Sequence, residues 1–176
     1  SLEMCLAKLL CADIIDIGAE SSRPGALPVS PEEEKRRIET LLPLLSNNKK
    51  PPLLSIDTYK PKTADFALQN GFDIVNDITG GKSIEMLDIV ANHEAKIILM
   101  HMQGKPNNMQ NNPQYDNLIE NIVSFFEDRC ESAVKAGVNE DKIIIDPGIG
   151  FGKTIEDNDK IISNIIQLKS LGFPVL

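Results

Sequence analysis

Short β-branched apolar runs alternate with longer segments of helical period along most of this chain. The apolar runs predict strands at residues 12–17, 53–57, 73–76, 96–101 and 142–146, and a further strand begins at 173–176. This alternation is typical of repeated βαβ units on a parallel sheet. The strands are continuously hydrophobic, which indicates that both sheet faces are covered, as in a barrel or a doubly wound sheet.

The segments between the strands carry recognisable helix starts. Ser30-Pro31-Glu32-Glu33 supplies a cap hydroxyl, a proline at the first helical position and a glutamate at the third, and this first helix is predicted to run to about Leu45. Further helices are predicted to begin near Pro61, near Lys82, near Gln114 and after Thr154, whose hydroxyl is a cap candidate.

The helix predicted near Gln114 is long and has a clear apolar stripe. Its buried face is expected to comprise Leu118, Ile122, Phe125 or Phe126, Cys130 and Ala133, which recur at near-helical spacing. Gly137 is expected to end it, because glycine accepts the left-handed conformation that follows many helices.

The length of the chain bounds the architecture. A (β/α)₈ barrel has about 250 residues in a typical case and about 200 at least, whereas this sequence has 176 residues. It opens on a segment predicted to be helical and stops as a strand begins. We therefore expect an incomplete (β/α)₈ TIM barrel, α/β in class, with the first strand and the last two units missing or truncated, and one domain over residues 1–176.

Composition narrows the classes of function. The sequence has 26 acidic and 18 basic residues, for a formal charge of -8, and shows no basic cluster, so neither nucleic acid nor an anionic membrane is an expected partner. No apolar run approaches the roughly 20 residues of a membrane span, and no secretory signal is visible, which predicts a cytoplasmic protein.

The cysteines show no metal-binding or redox pattern, because Cys5, Cys11 and Cys130 form no CxxC pair. Cys5 and Cys11 are expected to be small buried hydrophobes.

Polar side chains follow four of the predicted strands. They are Asp16, Asp57, Asn76 with Asp77, and Asp146. Ligands of parallel α/β folds bind at the carboxyl ends of the strands, so these side chains are expected to converge on one pocket. The alternative for each acid is a cap of the following helix or turn.

Three loops next to these strand ends carry further candidates. The loop at 16–26 is rich in small residues and has a single arginine, Arg23, suited to a carboxylate or phosphate, or else simply solvated. The loop at 146–154 is no Walker A or dinucleotide motif, because Pro147 and Lys153 stand where glycines are needed; Phe151 is expected to stack and Lys153 to meet an anion. His101, in the third loop, is expected to have a hydrogen-bonded structural role.

Six segments together resemble the dihydropteroate synthase family of pterin-binding enzymes. In order, they are 16–26 (DIGAESSRPGA), 29–34 (VSPEEE), 55–61 (SIDTYKP), 75–77 (VND), 99–110 (LMHMQGKPNNMQ) and 146–153 (DPGIGFGK). The segments span nearly the whole chain, so their combination is specific although each one alone is weak.

The resemblance implies a transferase of folate biosynthesis. Members of the family are (β/α)₈ barrels that join 6-hydroxymethyl-7,8-dihydropterin diphosphate to p-aminobenzoate, with Mg²⁺ assistance, to give 7,8-dihydropteroate and pyrophosphate; they are sulfonamide targets and often homodimers. Pyrophosphate loss is thought to leave a pterin-methyl cation that the aromatic amine captures.

The resemblance also implies roles for particular residues of this chain. Asp57, Asn76 and Asp146 would bind the pterin ring, and Ile78, Met100 and Phe151 would form its apolar wall. Ser22, Arg23 and Pro24 would form the p-aminobenzoate and diphosphate loop, and Asp57 and Arg23 would act in catalysis.

The sequence also departs from the family pattern. The first-strand asparagine that helps to bind the metal has no counterpart here, so no metal ligand is assigned, and the lysine near strand seven and the Arg-x-His run on strand eight are also absent. Lys153 is not that lysine, because Lys153 lies in the loop after the sixth barrel strand.

Two alternatives to a dihydropteroate synthase remain. One is a corrinoid-type methyltransferase that binds methyltetrahydrofolate, and the other is a non-catalytic pterin-binding fragment.

Overall fold

Five parallel strands form one sheet. The computed structural model describes residues 12–21, 23, 26–45, 52–104, 106, 108–110 and 112–176. Within them the sheet order is β1-β2-β3-β4-β5, with β1 at Ile14–Gly18, β2 at Leu53–Asp57, β3 at Ile74–Asp77, β4 at Lys96–Met100 and β5 at Ile143–Asp146. Each strand pairs with the next one along the chain. A doubly wound sheet differs, because its strand order reverses at one point, and this order does not. The predicted fold class, part of a (β/α)₈ barrel, is thereby confirmed.

The helices follow the strands in the expected alternation. They are α1 (Pro31–Glu39), α2 (Leu42–Leu45), α3 (Pro61–Gln69), α4 (Ile84–Asn92), α5 (Leu118–Lys135), α6 (Ile155–Ser163) and α7 (Ile165–Lys169), and a 3-10 turn covers Glu140–Lys142. Right-handed crossovers that always step to the next strand place the helices on one face of the sheet. None of the described helices is long and apolar enough to cross a membrane.

Two of the predicted helix starts are confirmed by their caps, whereas the helix predicted to begin near Gln114 begins later, at Leu118. The Ser30 hydroxyl accepts a hydrogen bond from the Glu33 backbone at 3.2 Å. At the start of α6, Thr154 and Asp157 form a reciprocal capping box. Each bond satisfies a backbone N–H that the helix itself leaves without a partner.

The prediction that the first helix runs to Leu45 is wrong. α1 ends at Glu39, and a separate turn of helix begins at Leu42. Pro43 gives the physical reason, since a continuous helix would need its missing N–H to bond the Glu39 carbonyl, against which the proline ring would also clash.

α5 buries the predicted stripe. Its buried residues are Leu118, Ile122, Phe126, Cys130 and Ala133. Phe126, rather than Phe125, occupies the core position. Gly137 follows the end of the helix with a φ of 96°, as predicted. Cys5 and Cys11 lie outside the described residues.

The two faces of the sheet differ in chemistry. The face under the helices is apolar, and its core side chains include Ile15, Ile56, Val75, Leu99 and Ile145. The opposite face, offset by one residue along each strand, presents polar side chains toward the carboxyl ends. These are Asp16, Ser55, Asp57, Asn76 and Asp146.

The chain resumes pairing at its last residues. Val175 forms an isolated parallel bridge with Ile145. The Ile145 backbone N–H donates to the Pro174 carbonyl, and Leu176 donates back to Ile145, each at 2.9 Å. The strand predicted to begin at 173–176 therefore adds next to β5.

Candidate active site

Three of the predicted strand ends meet at one place. Gly18, Asp57 and Asn76 are direct partners across β1, β2 and β3, so Asp57 and Asn76 point to the same face as neighbours. The Asn76 amide donates to the Asp16 carboxylate at 3.1 Å. That bond leaves the Asn76 carbonyl oxygen buried with no hydrogen-bond partner among the described residues.

Asp57 is the most perturbed carboxyl group of this cluster. Burial, followed by the nearby carboxylates of Asp16, Glu34, Asp77 and Glu20, raises the pKa of Asp57 to about 7. Within the described part of the chain, no N–H or O–H group donates to it. A half-buried carboxyl group surrounded by like charges is a ready acceptor for a ligand that brings donors or positive charge.

Asp77 does not belong to the cluster. It faces the helices, where its carboxylate accepts hydrogen bonds from the Thr79 backbone at 2.8 Å, the Thr79 hydroxyl at 2.7 Å and the Gly81 backbone at 3.1 Å. Burial raises its pKa, and these bonds oppose the rise. For Asp77 the expectation of a ligand pocket is wrong, and the alternative of a turn cap holds.

Asp146 lies on the polar face at the end of β5. It is the register partner of Met100, and its carboxylate accepts the Gly148 N–H at 2.7 Å. Burial raises the pKa of Asp146, while the Gly148 bond and the nearby Lys153 charge lower it. One carboxylate oxygen thus shapes its own turn, which fixes the direction of the group.

Lys153 is not free to meet an anion, so that prediction is wrong. Its ammonium group is buried and donates to three backbone carbonyls, those of His101 at 3.1 Å, Gly148 at 3.0 Å and Phe151 at 2.9 Å. Burial lowers the pKa of Lys153 to about 8. The ammonium therefore joins the loop after β4 to the loop after β5.

Close backbone contact requires glycine where these two loops meet. A Cβ atom at Gly148 would lie 2.2 Å from the His101 carbonyl oxygen, and one at Gly152 would lie 2.7 Å from that of Gln103. Both glycines also have positive φ angles, which suit glycine best. The glycines of the 146–153 segment therefore serve loop packing.

His101 has a structural role, but not the expected hydrogen-bonded one. Its ring packs edge-on against Phe125, with centroids 4.9 Å apart, and its buried Nδ1 has no partner among the described residues. Burial, and then the Lys153 charge, lower the pKa of His101 to about 3. The ring is therefore neutral at physiological pH.

An apolar wall borders the polar strand ends. Ile78, Met100, Met102 and Met109 form one buried cluster, against which Tyr59 and Phe151 pack. The three residues predicted as a wall, Ile78, Met100 and Phe151, are thus brought together.

Arg23 stands apart from these groups. It is exposed, its carbonyl accepts the Ala26 N–H at 3.1 Å, and its guanidinium makes no hydrogen bond or ion pair to the described part of the chain. Ser22 and Pro24, predicted beside it, lie outside the described residues.

A buried charge network next to Asp57 was missed by the sequence reasoning. Lys60 contacts the Glu20 carboxylate at 2.6 Å and that of Glu34 at 3.0 Å. Glu34 is only 1% exposed and also accepts the Thr63 hydroxyl at 2.6 Å. The available signal was the spacing of Glu34 and Ile38, four residues apart on the buried face of α1.

A cavity of about 470 Å³ opens beside this network. Its walls come from the loops after β1, β2, β3 and β4. They include Glu20, Ser21, Ala26, Pro28, Tyr59, Ile78, Lys82 and Met102. This volume is within the usual range for small-molecule sites.

The described residues offer no protein cage for a metal ion. No group of three or more His, Cys, Asp or Glu side chains among them is arranged to hold one. Enzymes usually hold Mg²⁺ with one or two carboxylates together with substrate phosphates, rather than with a cage of protein side chains.

The parallel strands present carboxylate and amide groups at their carboxyl ends, beside an apolar wall. This arrangement is typical of barrel enzymes that act on small molecules. The profile of the family described as pterin binding enzyme matches residues 11–176. The chain belongs to that family.

Curated relatives and solved structures agree with this assignment. Dihydropteroate synthase of Synechocystis sp. is 45% identical over 166 residues, which are 94% of this chain and 57% of that protein; the enzyme of Bacillus subtilis is 40% identical, with 94% and 55% covered. The chain thus spans a little over half the length of these relatives.

Two solved structures carry ligands. The Anaplasma phagocytophilum synthase with bound 6-hydroxymethylpterin-monophosphate has a TM-score of 0.90 at 38% identity, over 98% of this chain and 70% of that one. The Thermus thermophilus synthase in complex with 4-aminobenzoate has a TM-score of 0.87 at 34% identity, over 99% of this chain and 65% of that one.

Proposed function

We propose that this chain is part of a dihydropteroate synthase and carries residues that bind both of its substrates. The reaction joins 6-hydroxymethyl-7,8-dihydropterin diphosphate to p-aminobenzoate and releases pyrophosphate. The observation that carries the proposal is the pair of neighbouring acceptors, the Asp57 carboxyl group and the buried Asn76 carbonyl oxygen, that lack donors among the described residues.

Pterin chemistry suits this pair of acceptors. The edge of the pterin ring presents amino and ring N–H donors, which carboxylate and amide oxygens accept. In the proposal, Asp57, Asn76 and Asp146 bind that edge, while Ile78, Met100 and Phe151 pack against the ring. A buried acceptor that lacks a partner costs folding free energy, and a ligand that supplies the donor recovers it.

The electrostatics favour the bond-breaking step. When the bond between the methylene carbon and the diphosphate oxygen breaks, the electron pair leaves with pyrophosphate and positive charge develops on the pterin. The Asp57 carboxylate and its acidic neighbours stabilise that charge. The nitrogen of p-aminobenzoate then forms the new bond to the methylene carbon and loses a proton.

The loop after β1 is assigned to the second substrate in this proposal. The Arg23 guanidinium makes no hydrogen bond or ion pair to the described residues, and its two-donor fork suits a carboxylate or the departing diphosphate. Ser22 and Pro24 complete the assignment.

The same proposal extends to properties of the family. It includes Mg²⁺ use, competition by sulfonamides as mimics of p-aminobenzoate, a homodimer, a cytoplasmic location and one pterin-binding domain over residues 1–176. Sulfonamide competition is supported by the assignment of Arg23 to a site for an aromatic acid.

Two substitutions in the full-length protein test the site. Asp146→Asn is expected to weaken binding of the pterin diphosphate at least tenfold by calorimetry, because the amide replaces one acceptor by a donor. Arg23→Ala is expected to raise the KM for p-aminobenzoate at least tenfold and to leave pterin binding unchanged. Asp88→Asn, an exposed position on α4, is the matched control.

Several results would contradict the assignment. Unchanged pterin binding by Asp146→Asn refutes the pterin site, and equal losses for both substrates in Arg23→Ala refute the loop assignment. Cobalamin-dependent methyl transfer without pyrophosphate release would replace the synthase by the methyltransferase alternative.

A further inference from the structure

The loop between β1 and α1 is closed at its neck by one side chain. The Glu20 carboxylate accepts the Val29 N–H at 2.6 Å, a contact that brings together two positions nine residues apart. The same carboxylate accepts the Tyr59 hydroxyl at 2.9 Å and contacts the Lys60 ammonium at 2.6 Å. Glu20 therefore joins both ends of this loop to the loop after β2.

Lys60, which Glu20 contacts, is also held by Glu34. Lys60 also contacts the carboxylate of Glu34 at 3.0 Å, and Glu34 is buried and held by the Thr63 hydroxyl. Burial would lower the pKa of Lys60, but its bonds to Glu20 and Glu34 raise it, so the ammonium remains charged. We call Glu20, Tyr59, Lys60 and Glu34 the latch.

Beyond the latch, the described contacts of the loop are internal. The Arg23 N–H donates to the Ser21 hydroxyl at 3.4 Å, and the Ala26 N–H donates to the Arg23 carbonyl at 3.1 Å. Both bonds shape the loop without attaching it to the barrel. The described hydrogen bonds that attach the loop to the rest of the protein lie at its neck, where Glu20 contacts Tyr59 and Lys60 and the Ala19 carbonyl accepts a hydrogen bond from Arg37 at 2.9 Å.

The latched loop forms one wall of the cavity. Ser21, Ala26 and Pro28 line it together with Glu20, and Tyr59 lines it from the other side of the latch. Movement of the neck would move this wall and the exposed Arg23 together.

We propose that Glu20 is a positioning residue for the second substrate. By closing the neck of the β1–α1 loop onto Tyr59 and Lys60, Glu20 holds the cavity wall and Arg23 where an aromatic carboxylate is bound. This role rests on the proposed function, and it is separate from recognition of the pterin ring by Asp57, Asn76 and Asp146.

The test uses Glu20→Ala and Glu20→Gln in the full-length protein. Glu20→Ala is expected to raise the KM for p-aminobenzoate at least tenfold, to leave the pterin diphosphate Kd within twofold, and to speed amide exchange at Val29 at least tenfold. Glu20→Gln is expected to stay within about threefold of wild type, because the glutamine carbonyl still accepts the Val29 N–H and its amide donates to the Tyr59 oxygen.

Glu39→Gln is the matched control. Glu39 is an exposed carboxylate on α1 that does not contact the latch, so wild-type kinetics and Val29 exchange are expected.

Any of four outcomes would overturn the inference: an unchanged KM in Glu20→Ala, equal losses of both substrates in that variant, unchanged Val29 exchange, or a Glu20→Gln variant as impaired as Glu20→Ala. If wild-type protein releases no pyrophosphate from the two substrates, the proposed function itself has failed. If wild type is active and Glu20→Ala has an unchanged KM, only the positioning role has failed.

Discussion

Asp57→Asn is expected to make the protein more stable at neutral pH while it loses pterin binding. Burial and neighbouring carboxylates raise the pKa of Asp57 from 3.8 to about 7. Between these two values the unfolded chain has released the proton and the folded protein retains it. Wild-type stability therefore falls as the pH rises from about 4 to about 7, and above pH 7 the folded protein carries the full cost of a poorly solvated carboxylate.

The size of the effect follows from the two pKa values. Each pH unit between them corresponds to about 1.4 kcal/mol, so the full difference is about 4 kcal/mol at pH 8. An asparagine side chain carries no charge at any of these pH values and avoids this cost. The advantage of Asp57→Asn should therefore be near zero at pH 4 and grow with pH.

The assay is urea unfolding of wild type, Asp57→Asn and the control Asp88→Asn at several pH values between 4 and 8. The informative quantity is the difference between each variant and wild type, because titrating groups distant from Asp57 affect all three proteins alike. A difference for Asp57→Asn that does not change with pH, or one that matches Asp88→Asn, would refute the reasoning.

Three further substitutions test the loops and caps by urea unfolding. Lys153→Met is expected to lower the free energy of unfolding by about 3 kcal/mol, since three backbone carbonyls lose their donor, two of them in buried hydrogen bonds; a loss no larger than that of the exposed Lys135→Met would contradict this. Gly148→Ala should cost at least about 2 kcal/mol more than Gly150→Ala, because both have positive φ but only Gly148 faces a carbonyl at 2.2 Å; equal costs would argue against the close contact. Thr154→Ala should cost about 1 kcal/mol through loss of the α6 capping box, and no change in the unfolding midpoint would show that the cap is dispensable.

Local sequence signals were sufficient for most of the fold. Strands are apolar and β-branched, and helix starts depend on a side chain within three residues, so Ser30 and Thr154 could be recognised without tertiary information. Pro43 was an equally local signal, because proline interrupts a helix, but the prediction of one helix to Leu45 overlooked it. The same apolar period continues past Glu39, but the missing N–H of the proline divides the segment into two helices.

The site residues at strand ends could be predicted from the sequence. The roles of the other residues depend on where their side chains point, and these could not be predicted. Asp57 and Asn76 meet because their strands are neighbours in the sheet. Asp77 is one residue further, so it points to the opposite face and caps a turn. Lys153 is buried and Lys60 is half-buried, but what each ammonium contacts depends on elements distant in sequence, which no local pattern encodes.

The strictly consecutive strand order also bears on how the chain acquires its structure. Each strand pairs only with the strand before it and the strand after it, so a newly formed unit docks onto an edge that the preceding unit has already built. Folding of this kind can advance from the amino end as the polypeptide leaves the ribosome. We expect pulse-labelled amides of β1 and β2 to become protected before those of β5.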